Sequence, residues 1–265
     1  MKIIFVRHGE PDYVNDSLTE KGWREARLLA ERISRWRVTE FYCSPLGRAR
    51  DTASCTLEKT NRTAITLDWM KEFYYPIDDP ITGRHGVPWD LIPSYWTKDP
   101  LLMDMDRWVE ADLTAKNPEI AQNYKIVWKN LDQLLASYGY VREGLFYRMP
   151  DATEKFVVQT AVEGEDEYPE VYSQIYAEDE KEPVIVIFCH LGITCLALSH
   201  LLNIPFELLT HGFFIPTTSL TIVSSEQRWS NEAYFRVQRL GDVAHLASGG
   251  ETISTAGSFA KPFEG

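Results

Sequence analysis

Four apolar residues, Ile3-Ile4-Phe5-Val6, run directly into Arg7-His8-Gly9-Glu10. A short, uninterrupted apolar run rich in β-branched side chains reads as a strand covered on both faces. Strands of that kind belong to sheets with helices on either side, so the expected class is α/β. In open α/β sheets, ligands bind beyond the carboxyl ends of the strands, and that is where the polarity changes here. An arginine fork can hold two oxygens of a tetrahedral anion. A neutral imidazole can attack with a ring nitrogen. A glycine lets the backbone turn away and leaves room for an anion. Taken alone, Arg-His-Gly equally describes an ordinary strand end with surface side chains, because short motifs recur by chance.

The rest of the chain repeats the theme. Pro183-Val184-Ile185-Val186-Ile187-Phe188-Cys189 is a second apolar run that ends in a histidine, His190, and leads through Leu191-Gly192-Ile193-Thr194 into a helix reaching Leu202. Glu40-Phe41-Tyr42-Cys43 reads as a further strand, followed by Ser44 as N-cap and Pro45 at the first helical position. Arg48 then falls in a helical first turn, where anions bind. Between these units, Thr19 is the expected N-cap of a helix whose buried face is Trp23, Ala26, Ala30 and Ile33. Ala64–Leu67 reads as a third strand, with Glu72 close behind it. Arg7-His8, Arg48 and His190 thus all stand at strand ends, and their convergence would form a pocket for a tetrahedral anion.

Residues 73–118 are rich in Pro, Trp, Tyr and Asp and show little periodicity. They are expected to form loops and short helices packed by their own aromatic rings. Ile120, Tyr124, Val127, Leu131, Leu134 and Tyr138 mark a long amphipathic helix. Tyr140–Arg148 and Lys155–Val162 are expected as a pair of strands, and Leu220–Ser224 and Tyr234–Leu240 as late strands. The expected organisation is one domain over residues 1–265, with an inserted cap at about 73–180 and a loosely held tail at 247–265.

The net charge is −12, and residues 163–182 contain nine acids against one lysine. An acidic chain without a basic stripe is a poor nucleic-acid binder. No apolar run approaches a membrane span, and the first strand begins where a signal peptide would have its apolar stretch. Cys43, Cys55, Cys189 and Cys195 form no Cys-x-x-C pair. The expectation is a cytoplasmic protein with reduced thiols, bound neither to nucleic acid nor to membrane. A cysteine phosphatase needs Cys-x5-Arg, which none of the four cysteines has, and zinc-hydrolase ligand clusters are missing.

Three segments carry a family resemblance: Val6-Arg7-His8-Gly9-Glu10, Leu18-Thr19-Glu20-Lys21-Gly22, and Ser44-Pro45-Leu46-Gly47-Arg48-Ala49-Arg50-Asp51-Thr52-Ala53. Together with Cys189-His190-Leu191-Gly192 and Gly241-Asp242-Val243-Ala244-His245-Leu246, the chain resembles the histidine phosphatase superfamily, also called phosphoglycerate mutase-like. The resemblance covers residues 1–72 and 184–246. It implies a three-layer α/β/α sandwich with a mostly parallel central sheet. It also implies roles: His8 as the phosphorylated nucleophile, Arg7, Arg48 and His190 around the phosphoryl oxygens, and Glu72 as proton donor. Asn15 is assigned to the phosphate as well, although it stands one residue later than the asparagine of many members. No metal or cofactor is implied, since the arginines supply the positive charge. The substrate would be a small phosphorylated metabolite, and inorganic phosphate a product.

The context of Glu72 lacks the Tyr-Gly-x-x-x-Gly of mutases, and the loop from Gly9 to Thr19 is short. Both favour a phosphomonoester hydrolase over a phosphoglycerate-type phosphomutase. A non-catalytic phospho-ligand binding protein is the alternative from a different class. A second Arg-His-Gly, at Arg84-His85-Gly86, follows no apolar strand and is read as a decoy.

Overall fold

The computed structural model describes residues 1–87, 90–149, 182–229 and 231–263. Lys2–Arg7 forms β1, buried from Ile3 onward. Glu20–Ile33 (α1), Glu40–Cys43 (β2), Gly47–Thr60 (α2) and the short Ile65–Thr66 (β3) follow. Later come Pro118–Ala136 (α3), Val141–Glu143 (β4), Phe146–Arg148 (β5), Val184–Cys189 (β6) and Leu191–Leu202 (α4). Phe206–Gly212 (α5), Leu220–Trp229 (β7), Glu232–Asp242 (β8) and Ala244–Ser248 (α6) close the series.

These strands build one mixed sheet in the order β3-β2-β6-β1-β7-β8-β5-β4. The half that bears the strand-end motifs, β3-β2-β6-β1, is parallel, and the remaining pairs are antiparallel. Successive residues of β1 and β6 serve opposite layers. Ile4, Val6, Val186 and Phe188 pack with Leu29 and Ile33 of α1 and Ala49 and Ala53 of α2. Ile3, Phe5, Ile185 and Ile187 pack with Leu131 of α3 and with Ile193 and Leu196 of α4. Both faces being covered is the physical reason these strands carry no polar alternation. The α/β class and the layering are those expected.

Thr19 caps α1 by accepting the Gly22 N–H at 3.1 Å. The buried stripe of α1 is Ala26, Leu29, Ala30 and Ile33, with Trp23 only half-buried. The start of α2 differs from the expectation. The helix begins at Gly47, and Leu46 stands at its N-cap without a side-chain bond, so Ser44 is not the cap. Ser44 serves the site instead. The long helix carries the expected buried face from Ile120 to Leu131, with Asn117 capping it and accepting the Glu119 N–H at 3.1 Å; it ends at Ala136, so Leu135 rather than Leu134 is buried and Tyr138 lies beyond it.

The described residues of 73–118 contribute loops, a short hairpin of Ile77–Asp78 with His85–Gly86, and three single turns, Pro93–Trp96, Trp108–Glu110 and Thr114–Lys116. They pack around Trp108, which is fully buried, with its ring centroid 4.9 Å from Phe206 and 5.5 Å from Tyr124. The stretch expected as a single strand, Tyr140–Arg148, instead folds into a hairpin of β4 and β5, with Gly144 at φ +60° turning the chain, and it extends the main sheet through β8. The expected strand at 155–162, and the acidic run as far as Lys181, lie outside the described residues. The tail also departs from expectation. Residues 251–258 are docked rather than loose, with Ser254 only 2% exposed. The Gly, Ser and Thr content suggests a loosely held tail, but Thr252 and Ser254 make hydrogen bonds to Lys21 and Glu10 in the N-terminal half of the chain. No described helix is long and apolar enough to cross a membrane.

Candidate active site

Parallel register brings the two histidines together. Arg7 of β1 pairs with Cys189 of β6, so His8 and His190 follow side by side at the carboxyl edge. Their ring centroids are 5.2 Å apart. Phe188 pairs in turn with Cys43 of β2, which delivers Ser44 to the same edge. The backbone after β1 is then held tightly. Gly9 N–H donates to Thr52 Oγ1 at 2.8 Å, and His8 N–H donates to the Cys189 carbonyl at 3.0 Å. A Cβ at Gly9 would stand 2.8 Å from the Gly22 carbonyl oxygen, so the loop can lie on the first turn of α1 only with glycine there.

His8 is 2% exposed, and its Nδ1 lies 2.7 Å from the Gly9 carbonyl oxygen. A carbonyl only accepts, so Nδ1 carries the proton and the lone pair of the neutral ring resides on Nε2. Burial holds this imidazole well below the ordinary histidine value, and the nearby Arg7 and Arg48 charges push the same way. His190 is fully buried and is likewise held well below the ordinary value, by burial first and then by His8, Arg48 and Arg7. Its Nε2 lies 2.8 Å from Ser44 Oγ. Its Nδ1 is buried with no partner among the described residues.

Arg7 is 3% exposed and donates from Nη1 to the Ile215 carbonyl at 2.6 Å and from Nη2 to the Ala256 carbonyl at 3.0 Å. Arg48 donates from Nη1 to Asp16 Oδ1 at 2.6 Å and lies over the Tyr13 ring, 5.6 Å from its centroid. The Nε of each arginine is buried without a partner among the described residues. Two guanidinium N–H groups and one imidazole nitrogen are therefore buried and unmatched by protein at one sheet edge. Buried donors normally find acceptors, and an oxyanion with several oxygens would match all three.

Glu72 completes the expected set. Its Oε1 accepts the N–H groups of Ile193 at 3.1 Å and Phe73 at 2.9 Å. Burial raises the carboxyl above the ordinary glutamate value, against the lowering pull of those two N–H groups and of Arg7 and Arg48. Asn15 does not join the cluster. It is exposed, and its amide donates to Asp12 Oδ2 at 2.7 Å. The Asp12 side chain also accepts the N–H groups of Val14 and Asn15. That local turn keeps Asn15 on the outside of the loop. Arg84-His85-Gly86 forms part of an exposed hairpin, where His85 Nδ1 lies 2.8 Å from Asp78 Oδ1. Five participants escaped sequence reasoning: Ser44, Thr52, Asp16 and the carbonyls of Ile215 and Ala256. The first two lie inside the Ser44–Ala53 segment but act through partners remote in sequence, and a backbone carbonyl leaves no signal in a sequence.

Residues 3–81 match the family model described as histidine phosphatase superfamily, branch 1. Over this stretch, which holds Arg7, His8, Arg48 and Glu72, the chain is similar to the histidine phosphatase superfamily. Among curated relatives, it is 38% identical over 77 residues to a 2,3-bisphosphoglycerate-dependent phosphoglycerate mutase of Thermoplasma acidophilum, covering 25% of this chain and 38% of that one. It is 33% identical over 121 residues to phosphoserine phosphatase 1 of Hydrogenobacter thermophilus, covering 42% of this chain and 51% of that one. The aligned region thus spans about half or less of these relatives' own length. Among solved structures, a phosphoserine phosphatase mutant from Entamoeba histolytica in complex with phosphoserine superposes with a TM-score of 0.55 at 17% identity, over 92% of this chain and 98% of that one. A mycobacterial glucosyl-3-phosphoglycerate phosphatase superposes with a TM-score of 0.52 at 16% identity, over 90% and 97% of the two chains. At these identities the superpositions establish a shared fold.

Proposed function

We propose that the protein hydrolyses phosphomonoesters of small metabolites through a phosphohistidine on His8. The observation that carries this reading is the 2.7 Å contact between His8 Nδ1 and the Gly9 carbonyl, which reserves Nε2 for attack. Burial and the two arginines keep the ring neutral, the nucleophilic form. Arg7, Arg48 and His190 surround the phosphoryl oxygens and stabilise the charge that grows on them in the transition state. In the first step the Nε2–P bond forms and the P–O bond to the leaving alkoxide breaks, as Glu72 passes its proton to that oxygen. In the second, a water gives its proton to the Glu72 carboxylate and attacks phosphorus. The N–P bond breaks, phosphate leaves, and both residues return to their starting states. The raised Glu72 carboxyl suits this exchange, because a general acid works best with a pKa near the working pH.

Phosphatases acting on phosphoserine and glucosyl-3-phosphoglycerate share the fold, which supports a small phosphorylated substrate. A cytoplasmic location belongs to the same proposal and accords with three buried free thiols, Cys43, Cys189 and Cys195. The test is turnover of a panel of phosphorylated metabolites, with release of inorganic phosphate. Hydrolysis without added bisphosphorylated primer supports the phosphatase. Isomerisation that depends on such a primer would identify a mutase, and phosphate binding without turnover would identify a binding protein.

A further inference from the structure

Beyond α6 the chain passes back along the N-terminus of α1. Glu251 accepts from Lys21 Nζ at 3.1 Å and from Arg24 Nε at 2.7 Å, and the Thr252 carbonyl accepts from Lys21 Nζ at 2.6 Å. Ser254 then donates to Glu10 Oε2 at 2.7 Å. The other carboxylate oxygen of Glu10 accepts from the α1 cap residue, Thr19, at 2.9 Å. Glu10 is thereby clamped between helix and tail, two residues past His8. Ser254 Oγ also accepts the Ala256 N–H at 3.1 Å, which fixes the turn that presents the Ala256 carbonyl to Arg7. Gly257 lies against the same guanidinium. A Cβ there would stand 3.0 Å from Arg7 Nη2, and its φ of +78° is one that side-chain-bearing residues rarely adopt.

Arg7 and Arg48 are held by opposite means. Asp16 holds Arg48 with a carboxylate, which offsets part of its charge. Two neutral carbonyls, from Ile215 and Ala256, hold Arg7. Two acceptors on different nitrogens set the plane of the fork yet leave its charge intact, and three of the five N–H groups of an arginine remain for an anion. One of those two acceptors comes from the tail.

We propose that residues 254–257 are a positioning element of the phosphate site. The Ala256 carbonyl and the bare Cα of Gly257 set the plane of the Arg7 fork, and the Ser254–Glu10 bond latches the segment to the loop that carries His8. This rests on the reading of Arg7 as a phosphate ligand given above.

The experiment compares Gly257→Val, Arg7→Lys and the double variant in the full chain. Inorganic phosphate is the probe, titrated calorimetrically, with turnover of nitrophenyl phosphate and thermal unfolding measured alongside. Gly257→Val should weaken phosphate binding about tenfold, the scale of one hydrogen bond to a charged group. In the Arg7→Lys background the same change should cost less than about twofold, because an ammonium has no plane to set and coupled sites are not additive. Ser254→Ala should show a smaller loss with the same dependence on Arg7. Equal losses in both backgrounds mean general damage and overturn the proposal, as does an indifferent Gly257→Val. If that variant does not fold, Gly257→Ala carries the same comparison with a smaller intrusion. Wild-type protein that binds phosphate but ignores changes at Gly257 overturns this inference alone. Wild-type protein that neither binds phosphate nor hydrolyses an ester overturns the proposed function and this inference with it.

Discussion

Asp16 grips Arg48 with one carboxylate oxygen, at 2.6 Å, and with the other accepts the N–H of Gly47, also at 2.6 Å, at the start of α2. The carboxylate therefore bridges a helix N-terminus and the arginine that follows it, and so aims the Arg48 fork. Removing it should free that fork while leaving the core intact. Asp16→Ala is expected to weaken phosphate binding about tenfold, on the scale of a charge-assisted hydrogen bond. Arg48→Lys should lower turnover more than it lowers phosphate affinity, since planar bidentate contact matters most in the transition state. Calorimetric titration with phosphate beside steady-state kinetics checks both, and equal losses in Arg48→Lys would reduce Arg48 to a binding residue.

His8→Ala should lose nearly all turnover and remain folded. Among the described residues the side chain hydrogen-bonds to its own neighbour's carbonyl, so no side-chain hydrogen bond between remote segments is lost. Rapid quenching of the wild type during turnover should trap an acid-labile, alkali-stable phosphate on His8. A fully active His8→Ala would remove the nucleophile from the proposal.

Glu72 is tested by the leaving group. An alkyl ester departs as a strongly basic alkoxide and depends on a proton, whereas a nitrophenyl ester depends on it little. Glu72→Gln should slow alkyl esters by about 10²–10⁴-fold and nitrophenyl phosphate far less. A purely structural Glu72, holding the Ile193 and Phe73 N–H groups, would slow both alike.

The pH profile of kcat/KM should be a bell. Its acid limb reports protonation of His8 and lies well below the ordinary histidine value of 6.5, because burial, Arg7 and Arg48 disfavour the imidazolium. Its alkaline limb reports loss of the Glu72 proton and lies above the ordinary value of 4.5. Glu72→Gln should remove the alkaline limb and leave the acid limb. An unchanged alkaline limb would assign that proton elsewhere.

Glu25 offers a prediction about stability. It is fully buried on α1, accepts the Glu10 N–H at 2.9 Å, and burial pushes its carboxyl up to about 7. A raised carboxyl binds its proton more tightly when folded than when unfolded. The resulting stability is present below the unfolded value of 4.5 and is lost as pH rises from there to about 7. Glu25→Gln keeps the acceptor oxygen and removes the ionisation. It should exceed the wild type by roughly 3 kcal/mol at pH 8, an order-of-magnitude figure from the shift, and match it near pH 4.5. Chemical denaturation at the two pH values measures this.

The two apolar runs by themselves determine the central strands and where their polar ends lie. An uninterrupted Ile3–Val6 and Val184–Phe188 can be buried only between two helical layers, and the residues that end them must lie at the strand tips. His8, His190, Arg7 and Arg48 were legible for that reason, because strand ends are local features of a sequence. Glu72 was legible only by its place after the third strand and through the family resemblance. What surrounds these side chains was not legible. Asp16 on Arg48, Ser44 on His190 and Ala256 on Arg7 join residues 32, 146 and 249 positions apart, and loop geometry sets each contact. Asn15 shows the converse: one residue off the family spacing, it is captured by Asp12, three positions away, before any phosphate contact can form. Local patterning decides which residues reach the sheet edge. Long-range packing decides how each is aimed, because hydrogen-bond direction depends on the placement of chain segments that no periodicity encodes.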